Sequence, residues 1–179
     1  MKYAIIYSSK TGNTKKLADT LKQILPEKSC AYFGDMEHVL GDTAALEQAD
    51  KIFVGFWTDK GTCDETAAAF LKALRNKEVF LFGTAGFGGD SAYFERILAS
   101  VEFHLDPSVS LSGSFMCQGK MPLSVRQRYE KMMEMPDHGP NPEAMIANFD
   151  RALTHPDAED LENLKAAALK VLEYAFSLC

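Results

Sequence analysis

Ser8, Ser9, Thr11 and Thr14 fall within seven residues, with Lys10, Gly12 and Asn13 among them, in the stretch YSSKTGNT. Their hydroxyls are neutral hydrogen-bond donors, and Gly12 lets the backbone approach a ligand closely or take a positive φ. An apolar run, YAIIY, comes before the polar residues and an amphipathic pattern comes after them. A strand followed by a helix would place this loop at the helix N-terminus, where free N–H groups and the positive end of the dipole attract an anion. The chemistry on offer is a phosphate cradle made of neutral donors. The plainer alternative is a turn whose Ser, Thr, Gly and Asn do no more than cap a helix. The loop is longer and denser in hydroxyls than a cap requires. It is neither the Gly-x-Gly-x-x-Gly of a dinucleotide site nor a P-loop ending in Gly-Lys-Ser/Thr.

The elements that must hold this loop follow from hydrophobic periodicity. Lys2 to Tyr7 reads as a strand buried on both faces, and 29–33, 51–56, 78–83 and 112–117 read as four more. Between them, helices are expected at Thr14 to Leu25, at 42–50 with Asp42 as cap, at 65–76 and at 91–100. Strands alternating with helices imply βαβ units, right-handed crossovers and a doubly wound α/β fold. The pattern breaks at 118–156, which contains Pro122, Pro136, Pro140, Pro142 and Pro156. Short helices are expected there at Ser124 to Met133 and Pro142 to Leu153, with a loop at 135–142. A long last helix is expected from Pro156, placed in its first turn, to Phe176, with Leu161, Leu164, Ala168, Leu172 and Ala175 toward the core. We read the 179 residues as one domain carrying this insertion.

Composition narrows the function. A net charge of −6 argues against a nucleic-acid binder, and no apolar run approaches a membrane span. Cys30, Cys63, Cys117 and Cys179 are widely spaced, which supports neither a metal site nor a disulfide framework. Reduced thiols and a cytoplasmic location are the expectation.

In a doubly wound sheet, ligands bind outside the carboxyl ends of the strands. Two further loops belong at that edge. One opens with Trp57, the only Trp, in WTDKGTCDE. The other is GTAGFGGDSAYF, with Phe87 and Tyr93. The set resembles the flavodoxins, a family that binds FMN phosphate on a Ser/Thr-x-Thr-Gly-x-Thr loop after strand one. Ser9, Lys10, Thr11, Gly12, Asn13 and Thr14 match that loop in register. The resemblance covers about 1–120 and the last helix, and it departs at the insertion. It implies a five-stranded parallel sheet in the order 2-1-3-4-5 and FMN as cofactor. It also implies a flavin ring held by Trp57, Thr58, Asp59, Lys60 and Gly61 on one side, and by Thr84, Ala85, Gly86, Phe87, Gly88 and Tyr93 on the other.

The family often has Trp-Gly-Asp where this chain has Trp57-Thr58-Asp59, so Gly61 is the candidate for the flexible position whose carbonyl turns toward flavin N5. Gly86, Gly88 and Gly89 are expected to let their loop approach the ring. Asp59 and Asp90 are expected to keep the rim acidic and so lower the flavin potential, or to act only in loop solvation and capping. Gln118 and Lys120 either reach the ligand or cap the fifth strand.

Three rival folds of this general shape lack their defining residues. A receiver domain needs an acidic pair after strand one, where Ser8 and Ser9 stand. A Cys-based phosphatase needs a Cys in that loop, and a nicotinamide Rossmann domain needs its glycine fingerprint. Two functions then stand side by side. One is an electron carrier serving a partner reductase, with a basic docking surface on that partner expected from the net charge. The other is an FMN-dependent NAD(P)H oxidoreductase acting directly on a small substrate such as a quinone.

Overall fold

The computed structural model describes residues 1–39, 43–135 and 141–176. Asp42, Pro136 and Pro140 lie outside the described residues, as does the side chain of Ala175. In chain order the elements are β1 (Tyr3–Tyr7), α1 (Asn13–Ile24), β2 (Cys30–Asp35), α2 (Met36–Val39) and α3 (Thr43–Gln48). They continue with β3 (Lys51–Asp59), β4 (Thr62–Cys63), α4 (Glu65–Ala73), β5 (Glu78–Ala85), α5 (Ser91–Glu102) and β6 (Ser110–Gln118). The chain then forms α6 (Leu123–Met133), α7 (Pro142–Ala152) and α8 (Ala158–Phe176).

The main sheet is parallel in the order β2-β1-β3-β5-β6. This is the expected doubly wound order, with the short β4 added as an antiparallel partner of β3. Alternation along each strand separates two cores. Ala4, Ile6, Ile52, Val54, Val79 and Leu81 face one side, where Phe70, Leu71, Ile97 and Val101 of α4 and α5 pack on them. Tyr3, Ile5, Tyr7, Phe53, Phe80 and Phe82 face the other, against Leu17 and Leu21 of α1 and Leu164 and Ala168 of α8. Both faces are therefore covered, which is why β1 reads as an unbroken apolar run.

Three elements depart from the expected reading. β3 does not stop at Phe56 but runs on to Asp59 and turns back as a hairpin into β4. Lys60 and Gly61 make the turn with φ 48° and 85°. Two successive positive φ values define the turn type whose twist suits a tight hairpin. Between β2 and β3, two short helices, α2 and α3, replace the single expected one. The last helix starts at Ala158, so Pro156 lies outside its first turn. Asp157 is the cap: its carboxylate accepts from Asp160 N–H, and the Asp160 carboxylate accepts from Asp157 N–H. That reciprocal pair is a capping box. Among the described residues no helix is long and apolar enough to cross a membrane.

Candidate functional site

The chain runs outward from β1 to β2 and returns on the other side of β1 at β3. The crevice at the carboxyl ends of β1 and β3 is therefore the topological switch point of the sheet. A cleft of about 640 Å³ opens there. Its size lies in the range of small-molecule and cofactor pockets.

The loop after β1 forms its floor. Gly12 takes φ 85° and starts α1 without a side chain of its own to cap the helix, and among the described residues only the Lys15 N–H of the first turn is met by a side chain, Ser9. No acidic residue stands in its first turn, so the positive helix end is not neutralised locally. The four hydroxyls divide into two groups. Ser8 donates to Asp64 Oδ1 at 2.8 Å, and Thr14 donates to the Phe56 carbonyl at 3.2 Å while lying 3.2 Å from the Thr84 hydroxyl. Ser8 and Thr14 are buried and do not line the cleft, so their hydroxyls join loop to sheet. Ser9 and Thr11 differ: each accepts a bond, from Lys15 N–H and from Asn13 Nδ2, and keeps its own proton to donate. Of the expected cradle, Lys10, Thr11 and Asn13 line the cleft. Ser9 and Gly12 line neighbouring depressions.

The β3–β4 hairpin supplies Trp57, Thr58, Asp59, Lys60 and Gly61 to one wall. Lys10 Nζ lies 5.0 Å from the Trp57 ring centroid, a cation–π arrangement that fixes both side chains at the rim. Thr58 Oγ1 is buried and has no hydrogen-bond partner among the described residues. Thr84, Ala85, Gly86, Phe87 and Tyr93 line the wall below β5. Thr84 does so from a buried position. Burial raises the Tyr93 phenol above its usual pKa, with Arg96 partly opposing. It therefore stays a hydrogen-bond donor at neutral pH.

Gly88 is not in the cleft lining. A Cβ there would meet Gln118 Cβ at 2.8 Å, and one at Gly86 would meet Met121 Cγ at 2.6 Å. Both glycines make room for packing against the insertion, and Gly86 also lines the cleft. Gly89 has φ 85° with open space at its Cβ position.

The remaining wall comes from the insertion. Gly119, Lys120, Met121, Pro122, Ser124, Val125, Arg128 and Tyr129 complete the cleft. Apart from Lys120, no motif in the sequence marked them. The only sign was the Pro-interrupted break in periodicity after β6. Asn13 Nδ2 donates to the Lys120 carbonyl at 2.9 Å and so ties the first loop to this wall. Arg126 of α6 pairs with Glu130 and with Asp150 of α7, which joins the two insertion helices.

The charge of the lining also departs from expectation. Lys10, Lys60, Lys120 and Arg128 face the cleft against one carboxylate, Asp59. Asp90 is engaged as the α5 cap, accepting from Ala92 N–H. Acidic groups gather beyond Trp57 instead, where Asp35, Glu37, Asp59 and Glu65 line an adjoining groove. Asp59 lines both, and the other acidic groups lie beside the cleft.

A doubly wound sheet with a glycine-started first helix, a Trp-bearing loop and a Gly-rich loop at its switch point defines a flavodoxin-type fold. The chain belongs to the flavodoxin family: the family model for the flavodoxin domain matches residues 4–169. It is 43% identical over 172 residues, 90% of each chain, to the flavodoxin-like domain-containing protein BilS of Clostridium symbiosum (strain WAL-14163). It is 32% identical over 161 residues, again 90% of each, to the protein of the same description from Clostridioides difficile (strain CD3). Among solved structures, the flavodoxin WrbA-like protein of Agrobacterium tumefaciens superposes with a TM-score of 0.51. The match covers 69% of this chain and 86% of that one at 17% identity, a likeness of fold.

Proposed function

We propose that this chain binds FMN in the switch-point cleft and passes electrons between partner proteins. One observation carries the reading: three strand-end loops and a helix N-terminus that begins at a glycine meet in a single cleft of cofactor size. The donor set fits the group. Free N–H groups at α1, the Thr11 hydroxyl and the nearby Lys10 and Lys120 suit a phosphate. Trp57 and Tyr93 suit a flat aromatic ring. The buried Thr58 hydroxyl gains the partner it lacks if a polar ring edge lies beside it.

When bound, the flavin supplies the redox chemistry. The chain's own residues bind and orient it. The α1 end and Thr11 hold the phosphate, and the hairpin and the loop after β5 bracket the ring. The cations in the lining favour added negative charge during reduction. The net charge of −6 favours a basic docking surface on the partner at long range, and a cytoplasmic setting suits the reduced thiols. We read the whole chain as one domain.

A second reading, direct reduction of a small substrate by NAD(P)H, is favoured by α6, which walls one side of the cleft and brings Arg128 and Tyr129 to it.

The test is a titration with FMN followed by absorbance and flavin fluorescence. Saturable binding that weakens in Thr11→Ala supports the proposal, and absence of binding overturns it. Rapid unaided oxidation of NADH or NADPH by the loaded protein would replace the carrier by the oxidoreductase.

A further inference from the structure

The insertion grips one backbone carbonyl of the loop after β5. Gln118 Nε2 and Asn148 Nδ2 each donate to the Gly86 carbonyl at 3.0 Å, and Gln118 Nε2 also lies 3.0 Å from Asn148 Oδ1. Both side chains are buried, at 7% and 4% exposure. They come from different parts of the chain: Gln118 ends β6 and Asn148 sits in α7. Two buried amides spent on a single loop carbonyl exceed what one carbonyl needs, because one bond already satisfies it.

The consequence lies on the other side of the peptide. The Gly86–Phe87 bond is trans, so the Phe87 N–H is antiparallel to the Gly86 carbonyl within one plane. Gln118 and Asn148 do not line the cleft, whereas Gly86 and Phe87 do. Holding the carbonyl toward the amides therefore turns the Phe87 N–H away from them. That N–H has no hydrogen-bond partner among the described residues. Gln118 also packs close to Gly88, and Met121 close to Gly86.

We infer that Asn148 and Gln118 are positioning residues, which lock the 86–87 peptide so that the Phe87 N–H is presented to an acceptor atom of the flavin ring. The inference rests on the FMN reading above. A fixed donor stabilises a form that carries more negative charge more strongly than a neutral one. The lock thus acts on the difference in affinity between reduced and oxidised flavin, and that difference sets the midpoint potential.

The test uses the full chain with Asn148→Leu and the double variant Asn148→Leu/Gln118→Met, compared with Phe149→Leu. Phe149 is the neighbouring α7 residue, 2% exposed, and takes no part in the grip. Three readouts are taken: the Phe87 amide signal by nitrogen–proton NMR with and without FMN, the FMN dissociation constant, and the midpoint potential. In the unaltered chain the Phe87 signal should shift on FMN addition. The single variant should bind oxidised FMN up to about tenfold more weakly, the size of one hydrogen bond. Binding of the reduced form should fall further. Each further tenfold loss lowers a two-electron midpoint by about 30 mV. The double variant should exceed the single one, and Phe149→Leu should leave the potential in place.

A Phe87 signal that does not move while those of Thr11 to Thr14 do overturns the lock but keeps the FMN reading. A potential that falls equally in Phe149→Leu also overturns the lock, because packing alone then explains it. Failure of every loop signal to respond to FMN overturns both.

Discussion

The two sides of the cleft are built differently. On one side the loops after β1, β3 and β5 carry their chemistry in contiguous residues: Thr11 to Thr14, Trp57 to Gly61, Thr84 to Phe87. On the other side β6, the loop after it and α7 bond to the first side through single residues far from their partners in the chain. Asn13 reaches Lys120 across 107 positions, and Asn148 reaches Gly86 across 62. The first side holds the residues proposed to meet a ligand, and the second is tied to those loops by hydrogen bonds at Asn13 and at the Gly86 carbonyl.

The largest expected effect asks whether the two sides fold together. Phe149→Ala empties a buried site between α7 and the rest of the insertion. A loss of about 3–5 kcal/mol is expected for such a truncation. Urea unfolding followed by Trp57 fluorescence reports the sheet side. A lowered midpoint there means the insertion belongs to the same cooperative unit. An unchanged midpoint, with α7 lost by circular dichroism, would separate the two regions.

A glycine pair gives a smaller and sharper contrast. Gly88→Ala forces a Cβ against the Gln118 side-chain stem, and an overpacking cost of about 1–3 kcal/mol is expected, with weaker FMN binding. Gly61→Ala meets no atom within 4 Å, but its φ of 85° is left-handed. The cost there is backbone strain alone, about 1–2 kcal/mol. Relief of the Gly88→Ala cost by a simultaneous Gln118→Ala, with no such relief for Gly61→Ala, would show the two causes to be distinct.

Within the first loop the threonines should separate in kind. Thr14→Val removes one hydrogen bond from the Phe56 carbonyl and one from the Thr84 hydroxyl, and should cost about 1–3 kcal/mol of stability. Thr11→Ala should leave the melting temperature almost unchanged and weaken FMN binding by up to about tenfold. A stability loss in Thr11→Ala equal to that of Thr14→Val would contradict the division of hydroxyls between sheet and cleft.

The smallest effect concerns charge. Arg128→Gln removes one exposed cation from the insertion wall. FMN affinity should fall less than twofold to threefold, and its salt dependence should flatten, since exposed charges are screened over about 8–10 Å. An affinity that rises in this variant would mean that Arg128 does not attract the bound anion.

Much of this fold was legible because its signals are short in range. The YAIIY run, the amphipathic spacing of Leu17 and Leu21, and Asp64 and Asp90 just before α4 and α5 each speak within a few residues. The hairpin at Lys60 and Gly61 was missed. Strand pairing of Thr58 with Cys63 depends on a turn type that Lys-Gly does not announce as clearly as Asn-Gly does. The insertion wall was missed for a different cause. Arg128 and Tyr129 sit on a polar helix whose pattern says only that it is a helix, not what its end stands beside.

What the sequence by itself determined is the run of strands and helices along the chain and the hydroxyl-rich loop after the first strand, because periodicity and turn chemistry are local. Only the tertiary structure decided which hydroxyls remain free, why Gly86 and Gly88 are glycines, and where Asn148 directs its amide. Those outcomes depend on excluded volume and hydrogen-bond satisfaction between segments that meet only once the sheet is assembled.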